Sequence, residues 1–334
     1  IIRALALGDM LCAVPALRAI RAAHPDARVS LIGLPWARLL VDRLPYVDEL
    51  IEFPGFPGIP EVPLDPARTV ACLADIQRRH FDLAVQLQGD GHHINEFAAL
   101  LGAARLAGFV PPGLDPPRDG VDDAWLRYPA HGHEVDRLLE LAKALGAPID
   151  RRLEFPVTDD DRAAAGRLLG ECLVDPADVA IVHPGGSRPD RRWPADRFAA
   201  VADALAGRDL AVLLTGTKTE ASATARVGAA MRGRFVDLAG RTDLGTMAAL
   251  VERARIAVTN DTGISHLAAA LDTDSVTVFT GSDRERWAPL GSERNVAVGE
   301  GVPDTAGGQR GPDVLVSDVM AAVGRLLSGP GLID

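Results

Sequence analysis

Ile256-Ala257-Val258-Thr259-Asn260-Asp261-Thr262-Gly263-Ile264-Ser265-His266 starts as a short apolar run, breaks into hydroxyls, an amide, a carboxylate and a glycine, and re-enters a helical pattern over 266–271. A buried strand, a turn and a helix in that order form the repeating unit of a parallel sheet with crossover helices. The same switch recurs at 179–183, 210–215 and 275–279, each followed by a turn and a helical segment. Upstream, 28–33, 49–53 and 82–87 read as strands, and 10–23 and 67–79 as helices. An α/β chain of two doubly wound units is therefore expected. Its 334 residues suffice for two domains of roughly 100–200 each.

Between the two alternations the pattern weakens. Residues 54–66 and 109–129 are dense in Pro, Gly and Asp and read as loops, followed by helices over 134–145 and 160–173. The boundary is expected near Pro156, giving domains 1–156 and 157–334. The last helix, 314–327, suits packing on either domain.

Composition narrows the class of function. Apolar residues are 47% and charged residues 24%, ordinary globular usage, with aromatics only 4%. A net charge of -11 argues against a phosphate-backbone binder, which needs a basic stripe, so nucleic acid is not an expected partner. One nucleotide is still allowed, since backbone N–H groups at a helix N-terminus hold a single anion. Cys12, Cys72 and Cys172 are dispersed and odd in number, which indicates neither a disulfide framework nor a zinc site and fits a cytoplasmic protein. No run reaches the ~18 apolar residues of a membrane span, which leaves room for peripheral contact only. The chain opens without Met in strand-like Ile1-Ile2-Arg3, pointing to a short missing N-terminal piece. Two lysines against abundant Arg, Ala, Gly and Pro suggest a high-GC bacterial source.

Ligands of doubly wound sheets bind at the carboxyl ends of strands, so residues just after strands carry most weight. In Leu7-Gly8-Asp9-Met10-Leu11, Gly8 would allow a tight turn and Asp9 would open a helix, as a cap or as a chemically active carboxylate. In His183-Pro184-Gly185-Gly186-Ser187, the glycines would expose backbone N–H groups. Arg188, Arg191 and Arg192 would neutralise phosphate, the alternative being a turn with a solvated basic patch. The opening stretch is the strongest of the three. Asp261, Thr262, Gly263 and His266 gather hydroxyl, amide and imidazole groups at a helix N-terminus suited to a diphosphate, the alternative being simple capping by Asn260 or Asp261. Glu220, after the strand 210–215, is placed to accept from ribose hydroxyls. Arg241, Thr242 and Leu244 precede a further helix and could line a base pocket.

Two patterns read as distractors. Asp272-Thr273-Asp274 has the spacing of a metal–diphosphate clamp but the composition of a turn. His92-His93 and His131-Gly132-His133-Glu134 lack the i, i+4 spacing of a helical zinc pair. No GxGxxG follows a strand, so a dehydrogenase fingerprint is absent. No metal and no cofactor are expected.

With these motifs in order, the chain resembles bacterial glycosyltransferase family 9, the ADP-heptose heptosyltransferases of lipopolysaccharide core synthesis, over nearly its whole length. The resemblance is carried by 7–11 with Pro15-Ala16-Leu17, Gln88-Gly89, His183-Pro184-Gly185, Arg191-Arg192-Trp193-Pro194 and 260–266. It implies a GT-B fold, two Rossmann-like domains facing a central cleft, with the acceptor on 1–156 and the nucleotide sugar on 157–334. It also implies inversion at the anomeric carbon, Asp9 as general base, and the loop 261–266 on the donor's diphosphate and sugar. The family's phosphate-contacting Lys falls at Arg191 and its ribose-binding Glu at Glu220. Gly185, Ser187, Arg188, Thr242 and Leu244 complete the expected donor site.

Chemically, Asp9 would take a proton from an acceptor hydroxyl as that oxygen attacks, while the diphosphate leaves toward the helix end and Arg191, with no metal needed. The departures concern the acceptor. Lipopolysaccharide enzymes carry a basic cluster where this chain has 54–66, which holds no Lys or Arg. Asp90, His92, His93, Asn95 and Glu96 are the nearby polar residues, and they suit a neutral or amine-bearing acceptor of secondary-metabolite type, with a glycolipid as the other option. Two readings compete: a GT-B-like sugar-nucleotide epimerase, and a non-catalytic two-domain solute-binding protein.

Overall fold

The computed structural model describes residues 1–118, 120–174, 178–291, 293–302, 311 and 313–328. The chain divides into two compact units, Ile1–Arg151 and Arg152–Asp334.

The first unit runs α1 (Leu7–Ala23), β1 (Ser30–Gly33), α2 (Arg38–Val41), β2 (Glu49–Glu52), α3 (Pro66–Arg78), β3 (Leu83–Val85), α4 (Ile94–Leu100), β4 (Arg105–Val110), β5 (Ala124–Arg127) and α5 (Glu134–Ala144). β1 and β2 pair in parallel, as do β3, β4 and β5. Ile2 joins the two groups through parallel bridges to Ile32 and Gln86. Its N–H donates to the Val85 carbonyl at 2.8 Å and its carbonyl accepts from Leu87 at 3.0 Å. With this short central segment counted as the first strand, the spatial order is the Rossmann order 3-2-1-4-5-6, which reverses direction between Ile2 and β3.

The second unit runs α6 (Asp159–Glu171), β6 (Val179–His183), α7 (Ala195–Ala206), β7 (Ala211–Leu214), α8 (Ala221–Ala230), β8 (Phe235–Asp237), α9 (Leu244–Arg253), β9 (Ile256–Asn260), α10 (Gly263–Ala270), β10 (Ser275–Val278), α11 (Arg284–Trp287), β11 (Asn295–Val298) and α12 (Val316–Ser328). Its strands are parallel in the order β11-β10-β9-β6-β7-β8, the same Rossmann order, with the switch point between β6 and β9. Those two central strands are buried along their whole length, as both-face coverage by helices requires. On α7, Phe198, Val201, Ala202 and Leu205 follow the i, i+3, i+4, i+7 spacing of one helical face and enter this core. Val319, Ala322 and Val323 of α12 join the same cluster, so the last helix packs on the second unit.

The structure corrects several local expectations. The stretch 109–129, read as loop, contains the end of β4 and all of β5, while its residue 119 lies outside the described residues. β5, β8 and β11 are sheet-edge strands of three or four residues with no fully buried position, so they lack the apolar run that marks a central strand. α4 was hidden because its first turn was read as a polar site segment. Helix α1 begins at Leu7 with Ala6 as N-cap, so Gly8 and Asp9 lie inside its first turn rather than at a turn before it.

Candidate functional site

In the second unit the chemistry-bearing residues collect where β6 and β9 end. Asn260, 1% exposed at the end of β9, has a helix cap as its alternative reading on sequence. Instead its amide nitrogen donates to the carbonyls of Pro184 and Gly185, both at 2.9 Å, and its amide oxygen accepts the Trp193 N–H at 2.9 Å. Asp261 is not the N-cap residue of α10. Its N–H donates to the Val278 carbonyl at 3.2 Å, prolonging the pairing of β9 with β10. The N-cap of α10 is Thr262, extended at φ -151° and ψ 174°, with no side-chain capping bond. Its hydroxyl is buried and without a hydrogen-bond partner. Gly263 is the first residue of α10, and Ser265 turns its hydroxyl back onto the Thr262 carbonyl at 2.7 Å. His266 is buried on α10, its ring edge-on to Trp287 with centroids 6.4 Å apart.

The loop after β6 is tightly fitted. A Cβ on Gly185 would lie 2.3 Å from Glu220 Oε1, so a larger residue there would displace the Glu220 carboxylate. Gly186 lies between Thr262 and Arg192, and its carbonyl accepts from the Arg192 guanidinium, Nε at 2.9 Å. Its N–H donates to Glu220 Oε1 at 2.7 Å, which corrects the expectation that both glycine N–H groups stand open to phosphate. Ser187 and Arg188 are exposed on this loop. Arg191 follows on a single turn of 3-10 helix, its carbonyl fixed by the Thr280 hydroxyl at 2.7 Å and its Nε buried without a partner.

Glu220, expected at a ribose, accepts two further protein donors, the Thr217 N–H at 2.8 Å and hydroxyl at 2.9 Å. Burial works to raise its carboxyl, but the Thr217 N–H, the His183 ring, the Thr217 hydroxyl and the Gly186 N–H outweigh it and hold the group below the usual carboxylate range. His183, at the end of β6, faces the Thr215 hydroxyl at 3.0 Å, and burial keeps its ring below the ordinary histidine value despite the Glu220 charge. Gly240 donates to the Gly216 carbonyl at 2.8 Å, drawing the segment that leads to Thr242 and Leu244 beside the Glu220 loop. Thr242 and Leu244 are half-buried there, flanking Asp243, which caps α9 through the Thr246 N–H. Arg241 is turned elsewhere, its guanidinium 3.4 Å from Glu171 and 3.5 Å from the Cys172 sulfur, rather than lining a base pocket.

In the first unit, Asp9 is on the first turn of α1 with its carboxylate 4.0 Å from Arg3 Nη2 and 28% exposed. Gln88 explains its place in the motif set. Its Oε1 accepts the Ala4 N–H at 2.8 Å, tying the exit of β3 to the central segment, and Gly89 follows at a positive φ of 61°. Asp90 closes a turn by accepting the His92 N–H at 2.9 Å. His92 and His93 are exposed, rings edge-on at 4.6 Å, with His93 against Gly58 of the 54–66 loop. Glu96 is exposed on α4. Asn95 departs from the expectation of an acceptor-facing amide: it is buried and donates to the Phe109 carbonyl at 2.8 Å.

Among the described residues no three or more His, Cys, Asp or Glu side chains gather as a metal site. Asp272 and Asp274 face Arg294 at 3.9 and 2.6 Å. No helix among them is long and apolar enough to cross a membrane. Sequence reading missed the pairing of Arg3 with Glu134, both buried and 3.1 Å apart. The available signal was an arginine in an otherwise apolar opening strand, Ile1-Ile2-Arg3-Ala4.

Comparison with known proteins places this geometry. Residues 121–306 match the model of glycosyltransferase family 9 (heptosyltransferase). Lipopolysaccharide heptosyltransferase 2 of Salmonella typhimurium is 26% identical over 310 residues, covering 87% of this chain and 84% of that protein. Among solved structures, a family 9 glycosyl transferase of Veillonella parvula superposes with a TM-score of 0.83 at 19% identity, covering 98% of this chain and 96% of the other. The ADP-heptose LPS heptosyltransferase II of E. coli does so with 0.74 at 22% identity, covering 98% of each. These likenesses give the fold as GT-B. The family match covers more than half of the chain, and the enzyme class is glycosyl transfer, ahead of the epimerase and solute-binding readings: the chain belongs to glycosyltransferase family 9.

Proposed function

We propose that this chain transfers a heptose from ADP-heptose, with inversion, to the hydroxyl of an acceptor that is neutral or amine-bearing. The observation that carries the donor half is the pair of buried hydrogen-bond donors without partners at the β6 and β9 exits, Thr262 Oγ1 and Arg191 Nε. A buried donor is normally matched, and a diphosphate oxygen supplies the missing acceptor. The N-terminal N–H groups of α10 add the partial positive charge that favours an anion. A relative of the same fold is named for ADP-heptose, which supports that donor.

In the reaction, the acceptor oxygen attacks the anomeric carbon, its proton passes to Asp9, and the bond to the diphosphate breaks. The α10 N-terminus, Thr262 and Arg191 take up the charge developing on ADP. A carboxylate is a weak base, so proton transfer comes late, when the new C–O bond is advanced. Glu220 and the segment at Thr242 and Leu244 would hold the nucleoside, with Gly185, Ser187, Arg188, Gly263 and His266 around the phosphates and sugar. On the acceptor side, His93 packs against Gly58 of the 54–66 loop, which carries Glu61 and Asp65 and no Lys or Arg, and Asp90, His92 and Glu96 are its sequence neighbours. This favours a neutral or cationic acceptor over an acidic glycolipid.

The test is ADP release from ADP-heptose with no acceptor, with heptose-free lipopolysaccharide, and with a panel of neutral and amine-bearing sugars. The proposal expects acceptor-dependent release and a heptosylated sugar. An epimerised donor without acceptor would overturn transfer, and turnover with lipopolysaccharide alone would overturn the acceptor class.

A further inference from the structure

Arg3 is completely buried on the central segment of the first unit, where a guanidinium is tolerated only if its N–H groups are matched and its charge is balanced. All three of its nitrogens are engaged. Nε donates to the Asp9 carbonyl at 2.9 Å, Nη1 to the Leu87 carbonyl, and Nη2 to Glu134 Oε1 at 3.1 Å. Nη2 is also 4.0 Å from Asp9 Oδ1. One side chain thereby fixes the first turn of α1, the exit of β3 and the start of α5 to the carboxyl end of the central strand. It also stands between two carboxylates. Glu134 is itself buried and 3.7 Å from Arg137 Nη1.

We infer that Arg3 and Glu134 are positioning residues for Asp9: Arg3 holds the turn that bears the Asp9 carboxylate, and Glu134 holds and partly balances the Arg3 guanidinium. The inference rests on the reading of Asp9 as the base. The charged and titratable groups joined to this turn include Arg3 on the central segment and, at the start of α5, Glu134, its neighbour Arg137 and the capping His133. Arg137 is drawn off by Tyr128, lying 5.1 Å over its ring, and by the Ala130 carbonyl at 3.3 Å.

The two partners then act on Asp9 in opposite directions. Removing the cation makes its proton harder to lose, and removing the second carboxylate makes it easier. The experiment is the pH dependence of kcat/KM, measured as ADP release from ADP-heptose with the acceptor identified in the panel above. Melting temperature and ADP affinity serve as fold controls. Arg3→Met is expected to move the acidic limb to higher pH and lower kcat by ~10²-fold with KM for ADP-heptose unchanged, as a misaimed catalytic group does. Glu134→Gln is expected to move the limb to lower pH, and Arg3→Lys to leave the limb in place while kcat still falls, since the charge is kept and the planar fork is lost. An inactive Asp9→Asn beside Arg3→Met and Glu134→Gln variants with wild-type limb and kcat would overturn the inference. Wild-type turnover of Asp9→Asn would instead overturn the base reading itself. If Arg3→Met does not fold, Glu134→Gln decides, and an unmoved limb there contradicts the inference.

Discussion

The side-chain amide of Asn260 lies 2.9 Å from the carbonyl oxygen of Gly185, 75 residues earlier in the chain. With its bonds to Pro184 and Trp193, this one side chain fixes the exit of β6 to the exit of β9 at the switch point of the sheet. Asn260→Ala would strand two carbonyls and one N–H. Each stranded buried group costs about 1–3 kcal/mol, partly relieved by water, so a net loss of about 2–4 kcal/mol is expected in urea unfolding. Asn260→Asp would keep the acceptor for Trp193 but set a carboxylate against two carbonyls, so it is expected to rescue little.

Thr262 should behave in the opposite way. Its hydroxyl is buried without a protein partner, so Thr262→Val removes nothing from the fold and is expected to leave stability unchanged or slightly raised. If the hydroxyl meets a phosphate oxygen, ADP affinity by calorimetry falls about 10-fold, the scale of one hydrogen bond to a charged group. Unchanged affinity would move the phosphate elsewhere.

The contrast between these residues shows how far the sequence carries. The strand, turn and helix at 256–266 were legible because buried parallel strands are unbroken apolar runs, and the glycines after β6 marked a tight loop. Residue type and position before a helix offered Asn260 only a cap or a place in a phosphate loop, whereas its partners lie in distant loops that no local pattern reveals. Arg3 and Glu134 are 131 residues apart, so neither could be recognised as half of a pair. The edge strands β5, β8 and β11 were invisible for a simpler reason: only their pairing, not their burial, makes them strands.

His183 gives a pH signature. Burial depresses its protonation in the folded state, so the unfolded chain binds the extra proton once pH drops below about 6.5. Stability is therefore expected to be level above that pH and to fall as pH decreases toward the folded value. The depressed Glu220 adds a further loss that begins below its unfolded value of 4.5. Melting temperature against pH checks this, and His183→Gln should flatten the segment just below about 6.5.

Asp123 supports the region that read as loop. Arg118 donates to both of its oxygens at 2.9 and 3.1 Å, and the N–H groups of Leu106 and Gly120 add bonds at 2.7 and 3.0 Å. The Arg118 bond is the leading cause that lowers its carboxyl to about 2, with the two backbone N–H groups acting the same way against burial. That stability is present above the unfolded value near 4 and is lost as pH falls toward 2. Asp123→Asn is expected to cost about 1–2 kcal/mol at neutral pH, and little at pH 2, in chemical denaturation.

The most direct test of the account pairs two measurements on Asp9→Ala: ADP affinity by calorimetry and transfer from ADP-heptose in a single turnover. Asp9 belongs to the first unit, while the proposed phosphate donors Thr262 and Arg191 belong to the second. The account predicts wild-type ADP affinity with transfer reduced ~10²–10⁴-fold, the range of a lost general base. Transfer at a near-wild-type rate would contradict it.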